Sequence, residues 1–152
     1  MTKGELAESL FRSGLNCSQS VAAAFSDEMN MDKELVERLT IGFGGGMGRM
    51  REVCGAVSGM TFVLSAIYTN DDKSKIYERV QTVANEFKKE NGSVVCRELL
   101  GLNIKGADSP KPKERTTAYY KKRPCSQLVA MCADILDKYL SLIHISEPTR
   151  RS

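Results

Sequence analysis

Four of the five cysteines in this 152-residue chain stand where the sequence predicts a helix to begin. They are Cys17, Cys54, Cys96 and Cys125. The first backbone N–H groups of a helix are unpaired, and the positive end of the helix dipole favours an anion there. A thiolate in that setting has a lowered pKa, and it is the form of cysteine that attacks disulfides and binds metals. These residue types at these places predict redox or metal-binding chemistry at sulfur.

Basic and small residues surround the central cysteine. Arg49 and Arg51 precede Cys54, and Arg97 follows Cys96. A nearby cation favours the thiolate, as the helix terminus does. The stretch CGAVSG leaves little side-chain volume beside Cys54, so another helix, a cofactor or a second thiol can approach its sulfur closely. Cys54 is therefore predicted to be the reactive thiol.

The elements that carry these cysteines are predicted to be helices. Apolar residues recur at helical spacing along most of the chain, and polar residues suited to capping, Thr2, Asn16 and Asp32, precede three segments. No segment shows the sustained alternation that is typical of strands. We predict an all-α, single-domain bundle of about five to seven helices. The stretch GFGGGMG, residues 42–48, is predicted to form a sharp turn in which backbone segments approach closely.

The fifth cysteine is predicted to be structural. Cys132 lies on the same face of the last predicted helix as its apolar residues. Free cysteine is among the most buried residue types, so we expect Cys132 in the core.

The end of the chain differs in character from the rest. Residues 140–150, LSLIHISEPTR, match the translation of a common transposon-end sequencing adapter. We therefore predict a non-native tail over residues 140–152 and a helical domain over residues 1–139. The only histidine, His144, falls in this tail, so neither a Cys–His catalytic pair nor a histidine metal site is expected.

Composition and charge narrow the classes of protein. No apolar run reaches the length of a membrane span, and the N-terminus does not have the pattern of a secretory signal. A cytoplasmic protein is expected, in which five cysteines indicate thiols, metal ligands or redox groups rather than disulfides. The net charge of +3 is too small to indicate nucleic-acid binding. The stretch between Lys105 and Arg123 contains seven Lys or Arg and two Asp or Glu, with prolines in and beside it. This composition predicts an extended connection.

Four stretches in order, NCSQSV, GFGGGMGRMREVCGAVSG, CRELLG and PCSQLVAMCADIL, resemble the C_GCAxxG_C_C family, whose members are described as redox-active. The resemblance extends from about Leu10 to Leu136. The family's cysteines fall on Cys17, Cys54, Cys96 and Cys125, and Cys132 has no counterpart. The resemblance implies a helical, prokaryotic redox protein of the type found in anaerobes. It does not specify a reaction.

The leading hypothesis is that the four cysteines converge on one redox-active site. In one version a pair cycles between dithiol and disulfide, and in the other all four thiolates hold an iron–sulfur cluster that carries electrons. Spacings of 37, 42 and 29 residues fit neither a ferredoxin run nor paired CxxC knuckles, so spacing alone leaves both versions open. Thiol chemistry is favoured, because ligands so far apart in sequence would have to be preassembled by the fold.

Two alternatives belong to other classes. The same four cysteines could hold a structural zinc ion without turnover. The basic stretch, with Tyr119, Tyr120, Lys121, Lys122 and Arg123, could serve as an interaction module for nucleic acid or an acidic partner, although such a run is usually a solvated connection.

The expected partner is a redox protein of unknown identity, with no membrane and no nucleic acid. The sequence leaves open a homo-oligomer, the substrate, the presence of a cofactor, and whether the protein is an enzyme such as a thiol-dependent oxidoreductase.

Overall fold

The computed structural model describes residues 1–116, 119 and 124–146, with side chains as far as residue 143. Eight α-helices lie in these ranges: α1 Lys3–Arg12, α2 Cys17–Ala23, α3 Ser26–Met29, α4 Lys33–Thr40, α5 Gly55–Ile67, α6 Lys73–Asn91, α7 Cys96–Leu99 and α8 Cys125–Ser146. A 3₁₀ turn, Ile41–Phe43, follows α4. The predicted all-α bundle is confirmed, since the described ranges contain no strand beyond one isolated antiparallel bridge. None of the described helices combines the length and apolar character needed to cross a bilayer.

The predicted N-terminal caps are confirmed at three helices. The Thr2 hydroxyl accepts a hydrogen bond from the Glu5 N–H at 3.0 Å, and the Glu5 carboxylate accepts one from the Thr2 N–H at 2.8 Å. Asn16 and Gln19 exchange the same pair of bonds at the start of α2, at 3.0 and 2.9 Å. Asp32 caps α4. Each cap satisfies backbone donors that have no partner within the helix, so a local sequence signal is sufficient to set these starts.

Helix α2 lies at the centre of the bundle, in contact with α1, α4, α5 and α8. Its residues 18–23 are all buried, and their small size lets four helices approach one short helix. A side chain at Gly59 of α5 would lie 2.9 Å from the carbonyl oxygen of Ser18, so α5 packs almost backbone to backbone on α2. The Ser18 hydroxyl donates to the carbonyl of Thr40 at 2.7 Å, which compensates for its burial. Cys17, the first residue of α2, is thereby held against the start of α5.

Helix α8 completes the core against α1, α2, α5 and α6. Cys132 is fully buried in it, so its predicted place in the core is confirmed. The helix continues past residue 139, and Leu140 is buried. The predicted non-native tail stays a prediction: residues 147–152 and the side chain of His144 lie outside the described part of the chain.

The glycine-rich turn is built from left-handed backbone. Five consecutive residues have positive φ: Gly45 (66°), Gly46 (70°), Met47 (66°), Gly48 (57°) and Arg49 (64°). Each residue with a side chain in this conformation costs about 1–2 kcal/mol, so three glycines remove most of that cost. The predicted sharp turn is confirmed, and a hydrogen bond of 2.8 Å from the Gly48 N–H to the Gly42 carbonyl closes it.

The basic stretch crosses the surface without helix through residue 116, which confirms the predicted extended connection for that part. Arg115 fastens it to the end of α1: its guanidinium stacks on the Phe11 ring at 4.0 Å and donates to the carbonyls of Phe11 and Leu15. Tyr120, Lys121, Lys122 and Arg123 lie outside the described residues, so the interaction-module alternative stays a prediction.

A buried ion pair, which the sequence did not lead us to expect, joins α6 to the preceding turn. The side chains of Arg79 and Asp71 are 1% and 3% exposed, and they meet at 2.7 Å. Arg79 also donates to the Tyr139 hydroxyl at 3.1 Å and stacks on the Tyr68 ring at 3.6 Å. The charge is thus paired with a carboxylate and an aromatic face, as a buried arginine requires.

Candidate functional site: a cavity lined by four cysteines

One cavity of about 50 Å³ is lined by all four predicted site residues. Cys17 begins α2, Cys54 is the N-cap of α5, Cys96 begins α7, and Cys125 begins α8. Leucine and valine side chains of α7 and α8 form much of the remaining wall. None of the five cysteines forms a disulfide, and Cys132 is not among the lining residues.

Two of the cysteines are fixed by one backbone bridge. The Cys54 N–H donates to the carbonyl of Val94 at 2.7 Å, and the Cys96 N–H donates to the carbonyl of Glu52 at 2.6 Å. These bonds flank an antiparallel bridge between residues 53 and 95. The start of α5 and the start of α7 are therefore held side by side, although 42 residues separate the two cysteines.

Glycines let backbone close over the thiols. Gly55 lies directly against the Cys17 sulfur, and a side chain there would also lie 2.8 Å from the carbonyl oxygen of Phe43. A side chain at Gly46 would lie 2.7 Å from the Cys96 Cβ. The Cys17 sulfur thus lies against the small residue that follows Cys54.

The arginines serve different partners from those predicted. Arg51 donates from Nη1 to the Cys96 sulfur at 3.6 Å, and through Nη2 to the Asp108 carboxylate at 2.9 Å. Arg49 also binds Asp108, at 3.1 Å. The expectation that these arginines act on Cys54 is therefore wrong, since the described contact to sulfur is with Cys96.

The sequence had suggested that Arg97 acts on the neighbouring Cys96, but its guanidinium contacts other groups. Its guanidinium donates to backbone carbonyls and to the Glu52 carboxylate at 2.8 Å. It thereby supports the backbone that carries Arg51.

The pKa values also correct a prediction. Burial raises the pKa of both Cys17 and Cys54, and the charges of neighbouring thiols act in the same direction. Backbone N–H groups, of Gly45 at Cys17 and of Ala56 at Cys54, lower these pKa values by less than burial raises them. The expected lowering at helix starts is wrong for these two, because loss of hydration outweighs the helix terminus.

Asp108 is the acidic group of the site. Hydrogen bonds from Arg51, with further help from the Ser109 N–H and from Arg49, lower its pKa to about 2. The carboxylate therefore stays charged over the neutral range and keeps Arg51 oriented.

A pH dependence of stability follows from the raised thiol pKa values. Above about pH 9, the ordinary thiol value, the unfolded chain loses protons that the buried Cys54 and Cys132 retain. The free energy of unfolding should then fall as pH rises, by at most about 1.4 kcal/mol per pH unit for each thiol, and should show no such term below pH 9. Denaturant unfolding under reductant from about pH 8 to about pH 10 measures it.

The control for this slope is Cys132→Ala, which removes one buried thiol and leaves the lysines and tyrosines unchanged. Its alkaline slope should be shallower than that of the parent. Equal slopes would contradict the raised pKa of Cys132.

No group of three or more His, Cys, Asp or Glu within residues 1–116, 119 and 124–143 is arranged to hold a metal ion. Exchange between a pair of thiols does not need three or more metal ligands around one point. It needs charge on sulfur to be stabilised, which Arg51 and backbone N–H groups can do.

Sequence reasoning missed Asp108 and the pairing of Arg51 with Cys96. A signal for Asp108 was present, because it is one of only two acids in the stretch 105–123. The pairing had no local signal, since Arg51 and Cys96 are 45 residues apart.

Comparison with known proteins gives one family. The family model described as "Putative redox-active protein (C_GCAxxG_C_C)" matches residues 15–139, which include all five cysteines. No curated protein and no solved structure gives a match.

Proposed function

The chain belongs to the C_GCAxxG_C_C family of redox-active proteins, and we propose that it acts through dithiol–disulfide exchange at the four-cysteine cavity. Cys17, Cys54, Cys96 and Cys125 supply the thiols. In the oxidised form two of these thiols are joined by a disulfide, and in the reduced form both are free. In the reducing environment of the cytoplasm, the partner would be a protein that carries its own pair of thiols and exchanges electrons with the site.

The observation that carries this proposal is the convergence of four helix starts on one cavity. The cysteines come from the starts of α2, α5, α7 and α8. Inert thiols of a core would not be expected to cluster at helix starts. A redox pair needs thiols within reach of each other and a group that stabilises negative charge on sulfur during exchange. Arg51 is such a group, since its guanidinium donates to the Cys96 sulfur.

The same thiols are the ligand types of an iron–sulfur cluster, which would supply one-electron transfer, or of a structural zinc ion. The donor set suits either group, but we favour thiol exchange because Arg51 donates to the Cys96 sulfur. The two metal alternatives are outcomes of the test below.

The test is a thiol and metal inventory of anaerobically purified protein. Treatment with diamide should convert two cavity thiols to a disulfide, located by peptide mass mapping, and iron, sulfide and zinc should be absent at stoichiometric amounts. Cys132→Ala should form the same disulfide, because Cys132 lies outside the cavity lining. Stoichiometric iron with sulfide, or stoichiometric zinc, would contradict the dithiol proposal, as would the absence of a disulfide between cavity cysteines.

A further inference from the structure

The cavity limits what can reach its most enclosed thiols. Its volume is about 50 Å³, and Cys54 and Cys96 each keep only 7% of their surface exposed. By the volume open to the centre of a water-sized sphere, a cavity needs about 10–15 Å³ to hold one water molecule, so the space suits a molecule of a few heavy atoms. A peptide disulfide such as oxidised glutathione is too large to bring its sulfur to Cys96 without opening the site.

One thiol of the cavity is placed beside a positive charge. The Arg51 side chain is 7% exposed, and Asp108 holds it by hydrogen bonds of 3.2 Å from Nε and 2.9 Å from Nη2. Its Nη1 faces the Cys96 sulfur at 3.6 Å. Because a guanidinium carries five N–H groups, donors remain that can bind an oxygen atom at this sulfur. In a site that excludes water, a buried cation stabilises the negative charge that develops during a reaction more strongly than it would in water.

We propose that the substrate of this site is hydrogen peroxide, with Cys96 as the attacking thiol and Arg51 as the residue that stabilises the developing charge. This inference rests on the proposed dithiol function and names its oxidant. Hydrogen peroxide is a two-electron oxidant of two heavy atoms, so it fits the cavity and matches the two electrons that a dithiol gives up.

The reaction balances with two thiols. Cys96 gives its proton to solvent, and its sulfur attacks one peroxide oxygen. The O–O bond breaks, an S–O bond forms, and hydroxide leaves and takes up a proton to become water. A second cavity thiol then attacks the sulfur of this sulfenic acid and forms the disulfide, and the displaced hydroxide becomes a second water. Two thiols and one peroxide thus give one disulfide and two waters, and an external dithiol restores the reduced form.

The test compares oxidants and variants of the reduced full-length chain. Disulfide formation with hydrogen peroxide should be at least about a hundredfold faster than oxidation of free cysteine, and faster than with oxidised glutathione. Arg51→Met should lower the peroxide rate by about a hundredfold, the usual cost of one oxyanion donor, and Arg51→Lys should lose less. Cys132→Ala and Arg38→Met, which change a core thiol and an exposed arginine, should keep the parent rate.

A second measurement does not depend on the variants. Dimedone traps sulfenic acid, and when it is added together with denaturant, which opens the site, it should label Cys96 in reduced protein that has just met peroxide. Labelling of another cysteine in place of Cys96, or a peroxide rate no faster than that of free cysteine, overturns the inference. If diamide still joins two cavity thiols in that case, the dithiol function stands and only peroxide is excluded. If neither oxidant joins them, the proposed function fails as well.

Discussion

Replacing Arg79 with methionine is expected to lower the free energy of unfolding by about 3–5 kcal/mol, the usual cost of breaking a buried ion pair from one side. Methionine fills most of the volume, but it leaves the Asp71 carboxylate, 3% exposed, without the guanidinium 2.7 Å away. The Tyr139 hydroxyl loses a donor and the Tyr68 ring loses a stacked cation. Denaturant unfolding of parent and variant measures the difference.

Two further variants separate loss of the pair from loss of an arginine. Arg38→Met changes an exposed arginine of α4 and should stay within about 0.5 kcal/mol of the parent. The double variant Arg79→Met with Asp71→Asn should be more stable than Arg79→Met alone, because a neutral amide replaces the buried carboxylate that has lost its guanidinium. A loss below about 1 kcal/mol in Arg79→Met would contradict the buried pair.

The glycine-rich turn should be as sensitive at one position as the ion pair is. A Cβ at Gly46 would lie 2.6 Å from the Glu52 nitrogen and 2.8 Å from the Arg51 Cα, backbone that cannot move without moving Cys96. The left-handed φ of 70° adds about 1–2 kcal/mol to an overpacking cost of about 1–3 kcal/mol. Gly46→Ala should therefore destabilise the fold by about 2–5 kcal/mol and slow disulfide formation in the cavity.

Two neighbouring glycines provide graded controls. Gly48 has a φ of 57°, but a Cβ there would meet no atom closer than the Gly42 carbonyl oxygen at 4.0 Å, so Gly48→Ala should cost only the backbone term of about 1–2 kcal/mol. Gly42 has neither the left-handed φ nor a close neighbour, and Gly42→Ala should change stability little. The expected order of loss is 46, 48, 42. Equal losses at 46 and 48 would show that the approach to Cys96 is not tight.

The parts of the fold that the sequence predicts well are those set by local chemistry. Asn16 and Gln19 form their reciprocal cap from residues three apart, and Pro124 stands directly before the start of α8. Such signals need no tertiary information, because they satisfy backbone donors within one turn. For the same reason the four cysteines could be placed at helix starts from the sequence alone.

The sequence could not predict the partners of side chains across the bundle. The direction of Arg51 depends on Asp108, which is 57 residues away, and the raised pKa of Cys54 depends on how fully other helices cover it. A helix-terminus argument gives the sign of one local contribution to a pKa, whereas burial is a property of the assembled structure.

The buried position of Arg79 does have a signal in the sequence. It lies four residues before Val83 and eight before Phe87, on the buried stripe of α6. A charged residue at such a position predicts a buried partner, and Asp71, in the turn before the helix, was available in the sequence.

The placement of each thiol on a different helix has a consequence during biosynthesis. Cys17 and Cys125 are 108 residues apart, so the nascent chain exposes its first sulfurs well before the last has left the ribosome. Contacts of such long range form late, because loop closure must precede them. A chain released before Pro124 would lack the fourth wall of the pocket. A disulfide that includes Cys125 would therefore form only after α8 has been synthesised and has packed against the other helices.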